Sequence, residues 1–196
     1  MAVNPRSDIP VGIIDHFSIG VKDPEERIRS ILAREGIEFT EALYVKSQDS
    51  AFMQLSESAE VNPSKAVSVY PRTLAVAGID PVFRPRGLDQ VSVSVTNLAQ
   101  SAGLYRKLCG PEIQRTGSQL VFKIGSATLV VRETRRGQRP QVDDFRVLVD
   151  QYDHARAAKR MKALGAGLHL RTAGDGPSFT DPDGIVVYVA EMRPAR

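Results

Sequence analysis

A stretch of seven residues occurs three times in this chain of 196 residues with little change. The copies are DHFSIGV from Asp15, DQVSVSV from Asp89 and DDFRVLV from Asp143. In each copy apolar residues alternate with mostly polar ones, as in a strand whose two faces meet different surroundings. This internal repeat constrains the fold more than any local motif, because each copy must form the same supersecondary unit.

Each copy is followed by a segment with helical periodicity and then by further strands. The helical segments close at Gly36, Gly110 and Gly165, and glycine suits the left-handed residue that ends a helix. The candidate terminal strands are AFMQLSE at 51, ATLVVRE at 127 and GIVVYVAE at 184. The segment FTDPDG before the last strand is a hairpin signal. We therefore predict an α+β fold of three βαβββ-type modules.

One segment breaks this rhythm. Ser58 to Arg86 carries four prolines, at positions 63, 71, 81 and 85, and we interpret it as a linker. The predicted organisation is an N-terminal module over 11–57, a linker over 58–86 and a domain of two paired modules over 87–192.

Composition excludes several classes of protein. No apolar run approaches the roughly 20 residues that cross a bilayer, and no apolar leader is present, so we expect a cytoplasmic protein without a membrane partner. The single Cys109 cannot form an intramolecular disulfide. Arginines at 132, 135, 136 and 139 form a local cluster. Because no aromatic residues interleave it, we interpret the cluster as a solvated loop and expect no nucleic-acid partner.

Three longer motifs carry a resemblance to a known family. LDQVSVSVTNLAQSAGLYRKLCG from Leu88 and FTDPDGIVVYVAE from Phe179 resemble the first strand and helix and the closing hairpin of the vicinal-oxygen-chelate (VOC) superfamily. That superfamily includes glyoxalase I, extradiol ring-cleaving dioxygenases and bleomycin-resistance proteins. IDHFSIGVKDPEERI from Ile14 resembles the start of a family second-half module. The resemblance covers nearly all of the chain outside the linker and implies two paired modules whose sheets form a cup around a divalent metal.

The resemblance also implies where metal ligands would stand. In the paired modules the family's ligand positions correspond to Gln90, Val130, Asp144 and Tyr188. In the N-terminal module they correspond to His16 and Gln54. Val130 cannot bind a metal, and the set lacks histidine, which is a poor match to Zn or Fe(II) sites. We therefore expect a cup without a catalytic metal or other cofactor. The alternative is a divalent metal at His16 and Gln54, which only another chain could complete.

Strand parity predicts the lining of the cup. The expected residues are Gln90, Ser92, Ser94, Thr128, Val130, Arg132, Asp144, Arg146, Val186 and Tyr188. Arg146 and Arg132 could hold a carboxylate, phenolate or enolate, Asp144 could act as a general base, and Tyr188 could hydrogen-bond an oxyanion. Asp144, Arg146 and Tyr188 are the predicted catalytic residues, and the others are predicted to bind substrate. The alternative is an internal salt bridge between Arg146 and Asp144.

Three functions follow from this lining. The first is a metal-independent enzyme that catalyses proton transfer, isomerisation or cyclisation on a small polar or aromatic substrate. The second is a module that sequesters a small molecule, as bleomycin-resistance proteins do. The third is a metal-dependent glyoxalase-type lyase or extradiol dioxygenase with a site between chains at His16 and Gln54.

The odd number of predicted modules has a consequence for assembly. A module without a partner leaves a sheet edge and face exposed, so we expect the N-terminal modules of two chains to pair in a homodimer. Two alternatives stay open. The N-terminal module could cover the cup as a lid, or the chain could descend from a four-module protein that lost its first quarter.

Overall fold

The computed structural model describes residues 14–49, 53–58, 81–164, 168–170, 176–181 and 184–192. Its elements, in chain order, are β1 (Phe17–Val21), α1 (Glu25–Arg34), β2 (Tyr44–Val45), β3 (Met53–Glu57), β4 (Pro85–Val95), α2 (Leu98–Cys109), β5 (Gln114–Arg115), β6 (Gln119–Ile124), β7 (Ala127–Glu133), β8 (Gln141–Val149), α3 (His154–Ala163), β9 (Leu168–Leu170), β10 (Pro177–Thr180) and β11 (Val186–Glu191). The predicted α+β class is confirmed. Strand β4 begins two residues before the predicted domain start at 87, and most of the predicted linker lies outside the described residues.

Eight strands form one long sheet. Their order is β5-β6-β7-β4-β8-β11-β10-β9. Strand β4 runs parallel to β7, and β8 runs parallel to β11. At the centre β4 and β8 pair antiparallel. The two halves of the sheet therefore have the same strand order, counted outward from the central pair.

The N-terminal unit, residues 14–58, forms a separate three-stranded sheet. Its order is β1-β3-β2, with β1 parallel to β3 and β2 antiparallel to β3. A single bridge between Phe39 and Val45 stands where each half of the long sheet has an outer strand. The N-terminal unit thus repeats the strand order of one half of the long sheet.

The register of these strands is also shared. In each unit the family resemblance gives one ligand position at the first strand and one on the last strand. The position on the last strand lies opposite the residue two places after the position at the first strand. The observed partners are Ser18 with Gln54, Ser92 with Val130, and Arg146 with Tyr188. The positions aligned from the sequence are therefore equivalent in space within each unit.

Helix α2 contacts other parts of the molecule on two sides. Its residues Leu98, Ala102 and Tyr105 are buried in a cluster with Val93, which is 0% exposed. Its outer side contacts the N-terminal unit, where Lys107 Nζ donates to the Glu35 carbonyl oxygen at 2.7 Å. The N-terminal unit therefore packs on the helix-covered side of the long sheet, which is not the position of a lid over the other side.

Further contacts fix this arrangement at the other end of α2. The Asp49 carboxylate accepts hydrogen bonds from the Thr96 backbone N–H at 3.0 Å and from Ser101 Oγ at 3.4 Å. Thr96 and Ser101 flank the helix N-terminus, where Asn97 caps the helix by accepting from the Gln100 N–H. A carboxylate at a helix N-terminus is favoured by the free N–H groups and by the helix dipole.

The helix ends agree with the glycine signals where they can be compared. Gly36 and Gly110 follow α1 and α2 with φ of 65° and 80°, and Gly165 lies outside the described residues. Helix α3 spans His154–Ala163. Ala157 and Met161 are buried, whereas Leu164 is 72% exposed, because the helix ends at residue 163 and Leu164 follows its last turn.

No helix among the described residues is both long and apolar enough to span a membrane.

Removing Phe122 tests the core under α2. The side chain is 0% exposed and lies 6.0 Å, centroid to centroid, from the ring of Tyr105. Replacing Phe122 with alanine should lower the free energy of unfolding by about 3–5 kcal/mol, because a buried ring leaves a cavity. Denaturant titration measures the loss. The matched control is Ile113→Ala, since Ile113 is 60% exposed; an equal loss in both variants would contradict the described core.

Candidate functional site

The polar side of the central strands carries the residues predicted from parity. We call it the polar face; it comprises Gln90, Ser92, Ser94, Thr128, Val130, Arg132, Asp144, Arg146, Val186 and Tyr188. The pairing of β4 with β8 sets Ser92 opposite Asp144 and Gln90 opposite Arg146. Thr128 lies beside Gln90 on β7, and Tyr188 lies beside Arg146 on β11. The four strands therefore bring the predicted residues to one side of the sheet.

Two more aspartates join the polar face through irregularities in the central pair. On β4, Asp89 is the extra residue between Leu88 and Gln90, whose partners on β8 are consecutive. On β8, Asp143 is the extra residue between the partners of Ser92 and Val93. Such bulges re-aim a side chain.

Strict alternation places these two aspartates on the apolar side, so the parity argument missed both. Asp89 and Asp143 open two copies of the repeated stretch. An acidic residue at the same place in both copies, just before an apolar strand face, was the available signal.

One cluster on the polar face is built around Arg132. Its Nη2 donates to Ser92 Oγ at 2.9 Å and lies 3.8 Å from Asp144 Oδ2. The Asp144 side chain is only 13% exposed, and Ser92 is 0% exposed. Within the described part of the chain, Arg132 Nε is buried and has no hydrogen-bond acceptor. An unsatisfied buried donor on a charged group is costly, although the Arg132 side chain as a whole is 39% exposed.

The placement of Arg132 corrects part of its sequence interpretation. It was grouped with the loop arginines 135, 136 and 139, but it lies in β7 and reaches the polar face. The other three follow the strand and are exposed in the loop. The strand ATLVVRE predicted from Ala127, which contains Arg132, has the same bounds as β7.

A second cluster lies beside it, around Arg146. Its Nη1 lies 3.6 Å from Asp89 Oδ2, and its guanidinium carbon lies 5.7 Å from the centroid of the Tyr188 ring. A guanidinium over an aromatic face is an attractive cation–π arrangement. The ion pairs recorded for the two arginines therefore join Arg132 to Asp144 and Arg146 to Asp89, which differs from the predicted alternative of an Arg146–Asp144 bridge.

Asp143 has an unusual carboxyl group. Burial raises its pKa above the ordinary value, and this effect outweighs the opposing hydrogen bonds and the nearby positive charge of Arg132. Its Oδ1 accepts from Ser94 Oγ at 3.0 Å. Ser94 is 5% exposed, so this hydrogen bond lies within the sheet rather than at its rim.

The remaining predicted lining residues have smaller roles. Thr128 Oγ1 donates to the Asp89 carbonyl oxygen at 3.1 Å, next to the bulge. Gln90 Nε2 donates to Ser92 Oγ at 3.1 Å. Val130 is 6% exposed and forms apolar floor, and Val186 begins β11 with partial exposure.

The residues at the family's ligand positions in the long sheet do not fit a divalent metal. The family positions supply one carboxylate, one amide and one phenol beside a valine that has no donor atom. The guanidinium groups of Arg132 and Arg146 already place positive charge next to the carboxylates of Asp144 and Asp89. A further cation is disfavoured there. Among the described residues, no group of three or more His, Cys, Asp and Glu side chains could hold a metal ion.

His16 and Gln54 lie together in the N-terminal unit, away from the polar face. His16 Nδ1 lies 2.9 Å from Asp15 Oδ2, and its Nε2 lies 3.2 Å from the Tyr44 hydroxyl. Gln54 Nε2 donates to the Ala42 carbonyl oxygen at 3.0 Å. Both side chains thus have neighbours within their own unit.

Comparisons with known proteins concern the fold. No family model matches the sequence, and no curated protein matches it. A hypothetical protein from Staphylococcus aureus aligns with 91% of this chain and 65% of its own, with a TM-score of 0.53 and 10% identity. Methylmalonyl-CoA epimerase from Mycobacterium tuberculosis aligns with 61% of this chain and 96% of its own, with a TM-score of 0.45 and 15% identity. An extradiol ring-cleaving dioxygenase from B. fuscum aligns with 56% and 33%, with a TM-score of 0.45 and 18% identity.

The epimerase and the dioxygenase are members of the VOC superfamily, the family that the motifs resemble. At these identities the likeness concerns the fold alone. The chain spans about two thirds of the S. aureus protein and a third of the dioxygenase. Because the S. aureus match covers 91% of this chain, it includes part of the N-terminal unit as well as the long sheet.

The carboxyl group of Asp143 gives a direct test of this geometry. Its pKa should lie above the ordinary aspartate value, and Arg132→Gln should raise it further, because the arginine charge favours the carboxylate. Carbon-detected NMR titration measures both. A raised carboxyl pKa opposes folding when the group ionises, so its stabilising contribution should fall as the pH rises through that pKa. Arg139→Gln, in the loop, is the control; an equal shift there would contradict the placement of Arg132.

Proposed function

We propose that the polar face binds a small anionic molecule and catalyses a metal-independent proton transfer on it, as an enzyme of the VOC superfamily. The observation that carries this proposal is the Arg132 cluster. Arg132, whose side chain is 39% exposed, stands beside the Asp144 carboxylate, which is 13% exposed, and its Nε has no acceptor among the described residues. Carboxylate and enolate oxygens are the groups that such a guanidinium binds best.

Three charged residues have a role in this scheme. Arg132 and Arg146 hold the anion, and their positive charge stabilises the negative charge that develops when a neighbouring carbon loses its proton. Asp144 accepts that proton, because it lies within the same cluster and points to the same side of the sheet. Tyr188 donates a hydrogen bond to the developing oxyanion. Gln90, Ser92, Ser94, Thr128, Val130 and Val186 complete the binding surface, and isomerisation or cyclisation follows on substrates that permit it.

The second candidate is a protein that binds and sequesters an anion without changing it. The ion pairing of each arginine with an aspartate on another strand favours this candidate. Arg132 with Asp144 and Arg146 with Asp89 are at 3.8 Å and 3.6 Å, so both charge pairs can loosen to admit an anion with no chemical step. Binding without turnover would distinguish it from the enzyme.

Asp144→Asn separates binding from chemistry. The probes are pyruvate and 2-oxoglutarate, which carry a carboxylate and exchangeable protons next to a carbonyl. The protein should accelerate deuterium incorporation at that carbon in D₂O, followed by proton NMR, and the variant should lose this acceleration while binding stays within about twofold. The amide keeps the shape of the carboxylate but cannot accept the proton.

Three further variants define the outcome. Arg132→Gln should weaken binding of the probes about tenfold or more, because it removes a charge-assisted hydrogen bond, whereas Arg139→Gln should not. Asp143→Asn should keep the exchange; if it loses the exchange and Asp144→Asn keeps it, the base is Asp143. Binding of either probe with no accelerated exchange would support sequestration, and no binding of either would overturn the proposed anion site.

We also propose that the chain forms a homodimer through β1. Strands β4 and β8 carry two copies of the repeated stretch and pair with each other about a point between Val91 and Phe145. Strand β1 carries the third copy and, among the described strands, is hydrogen-bonded to β3 alone. An edge strand of this kind is a ready template for another copy of itself. The equivalent centre in β1 is Phe17, which would place His16 opposite Ser18 of the partner subunit.

Sedimentation velocity tests the dimer. At micromolar concentration the particle should have twice the chain mass of 21.4 kDa. Ser18→Lys should shift it towards the monomer, because the exposed residue lies one position from the proposed axis and a lysine on an edge strand disfavours pairing with another strand. Ser118→Lys, in the exposed turn before β6, should leave the mass unchanged. A monomeric wild-type protein would refute the pairing.

A further inference from the structure

A cavity separate from the polar face lies where the N-terminal unit meets α2. Its volume is about 250 Å³. Ile19 of β1, Ile31 of α1 and Leu108 near the end of α2 contribute to an apolar wall, and Cys109 lies beside them. Apolar side chains that face an unfilled space lose dispersion contacts. An apolar cavity of about 150 Å³ in an engineered protein already binds benzene, so this volume can accept an alkyl chain.

The rim of this cavity is positively charged. Lys107 and Lys123 both line it. Lys107 Nζ donates to the Glu35 carbonyl oxygen at 2.7 Å, and Lys123 Nζ donates to the Ser126 carbonyl oxygen at 2.8 Å. A carbonyl oxygen does not neutralise an ammonium group, and each ammonium has three donors. The Glu35 carboxylate on the same rim is instead paired with Arg34 at 3.1 Å.

We propose that this cavity binds a medium-chain aliphatic carboxylate, with the alkyl chain against the apolar wall and the carboxylate at Lys107 and Lys123. The combination of an apolar interior with two cations at the mouth matches an amphiphile that has one anionic end. Such a ligand contacts both the N-terminal unit and α2, so its binding stabilises their packing. The cavity lies on the helix-covered side of the long sheet, and the inference does not depend on the function of the polar face.

Cys109 provides a reporter for the site. It is the only cysteine of the chain, it lines the cavity, and burial raises its pKa to about 12. The probe is decanoate below its micellar concentration. Decanoate should slow the modification of Cys109 by N-ethylmaleimide at least about fivefold at saturation, because the bound chain covers the thiol. Nonyltrimethylammonium has the same nine-carbon alkyl chain and the opposite charge, and it should protect the thiol roughly tenfold less strongly at equal concentration.

Two variants test the two parts of the site. Lys123→Met keeps the length of the side chain and should weaken protection by decanoate roughly tenfold, whereas Lys159→Met on α3 should not. Ile31→Phe fills the cavity and should abolish protection. Among the described residues, the Lys123 side chain donates to Ser126 in its own hairpin, so its variant stays informative if Ile31→Phe fails to fold.

Four results would overturn this inference. They are equal protection by both amphiphiles, unchanged protection in Lys123→Met, no protection of the wild-type protein, or weaker decanoate binding in Arg132→Gln, which would place the ligand on the polar face.

Discussion

The antiparallel pairing of β4 with β8 is the interaction on which the rest of the structure depends. It joins two half-sheets of the same strand order into one sheet of eight strands. An isolated half would leave an edge and an apolar face to be covered by something else. Because the strands meet about Val91 and Phe145, equivalent residues of the two halves become neighbours. The pairing therefore brings the polar residues of both strands together on the polar face.

Two bulges in the same pairing bring two further carboxylates to the polar face. A regular ladder would turn Asp89 and Asp143 towards the apolar side, where a carboxylate could not be tolerated without a partner. The two bulges turn them towards the arginines and serines of the polar face instead. Removing one partner from such a cluster leaves the other charge poorly compensated, so the five charged groups of the polar face are expected to depend strongly on one another.

Helix α2 gives the molecule its second organising feature. One side of it covers the apolar face of the long sheet, and the other side receives the N-terminal unit. The polar face and the cavity at Ile31 are therefore held on opposite sides of one sheet, with the core cluster between them. Two ligands of different chemistry could bind without competing for the same residues.

The sequence alone was sufficient for the class of fold and for most of the polar face. Period-two alternation determines which side of a strand each residue occupies, and the helix-ending glycines and the hairpin before β11 are local signals. Alignment of the terminal strands of the three copies also placed Gln54, Val130 and Tyr188 correctly relative to the first strand of each unit. These properties depend on neighbours along the chain.

Other properties depended on contacts between distant strands, which only the tertiary structure decides. A bulge arises from the mismatch between two paired strands, so neither Asp89 nor Asp143 could be assigned to the polar face from its own strand. The same holds for the partner of each arginine and for the packing of the N-terminal unit against α2. The sequence determined the units and their faces because periodicity is local, whereas the tertiary structure decided which charges meet, because ion pairs across strands require a register that no single segment contains.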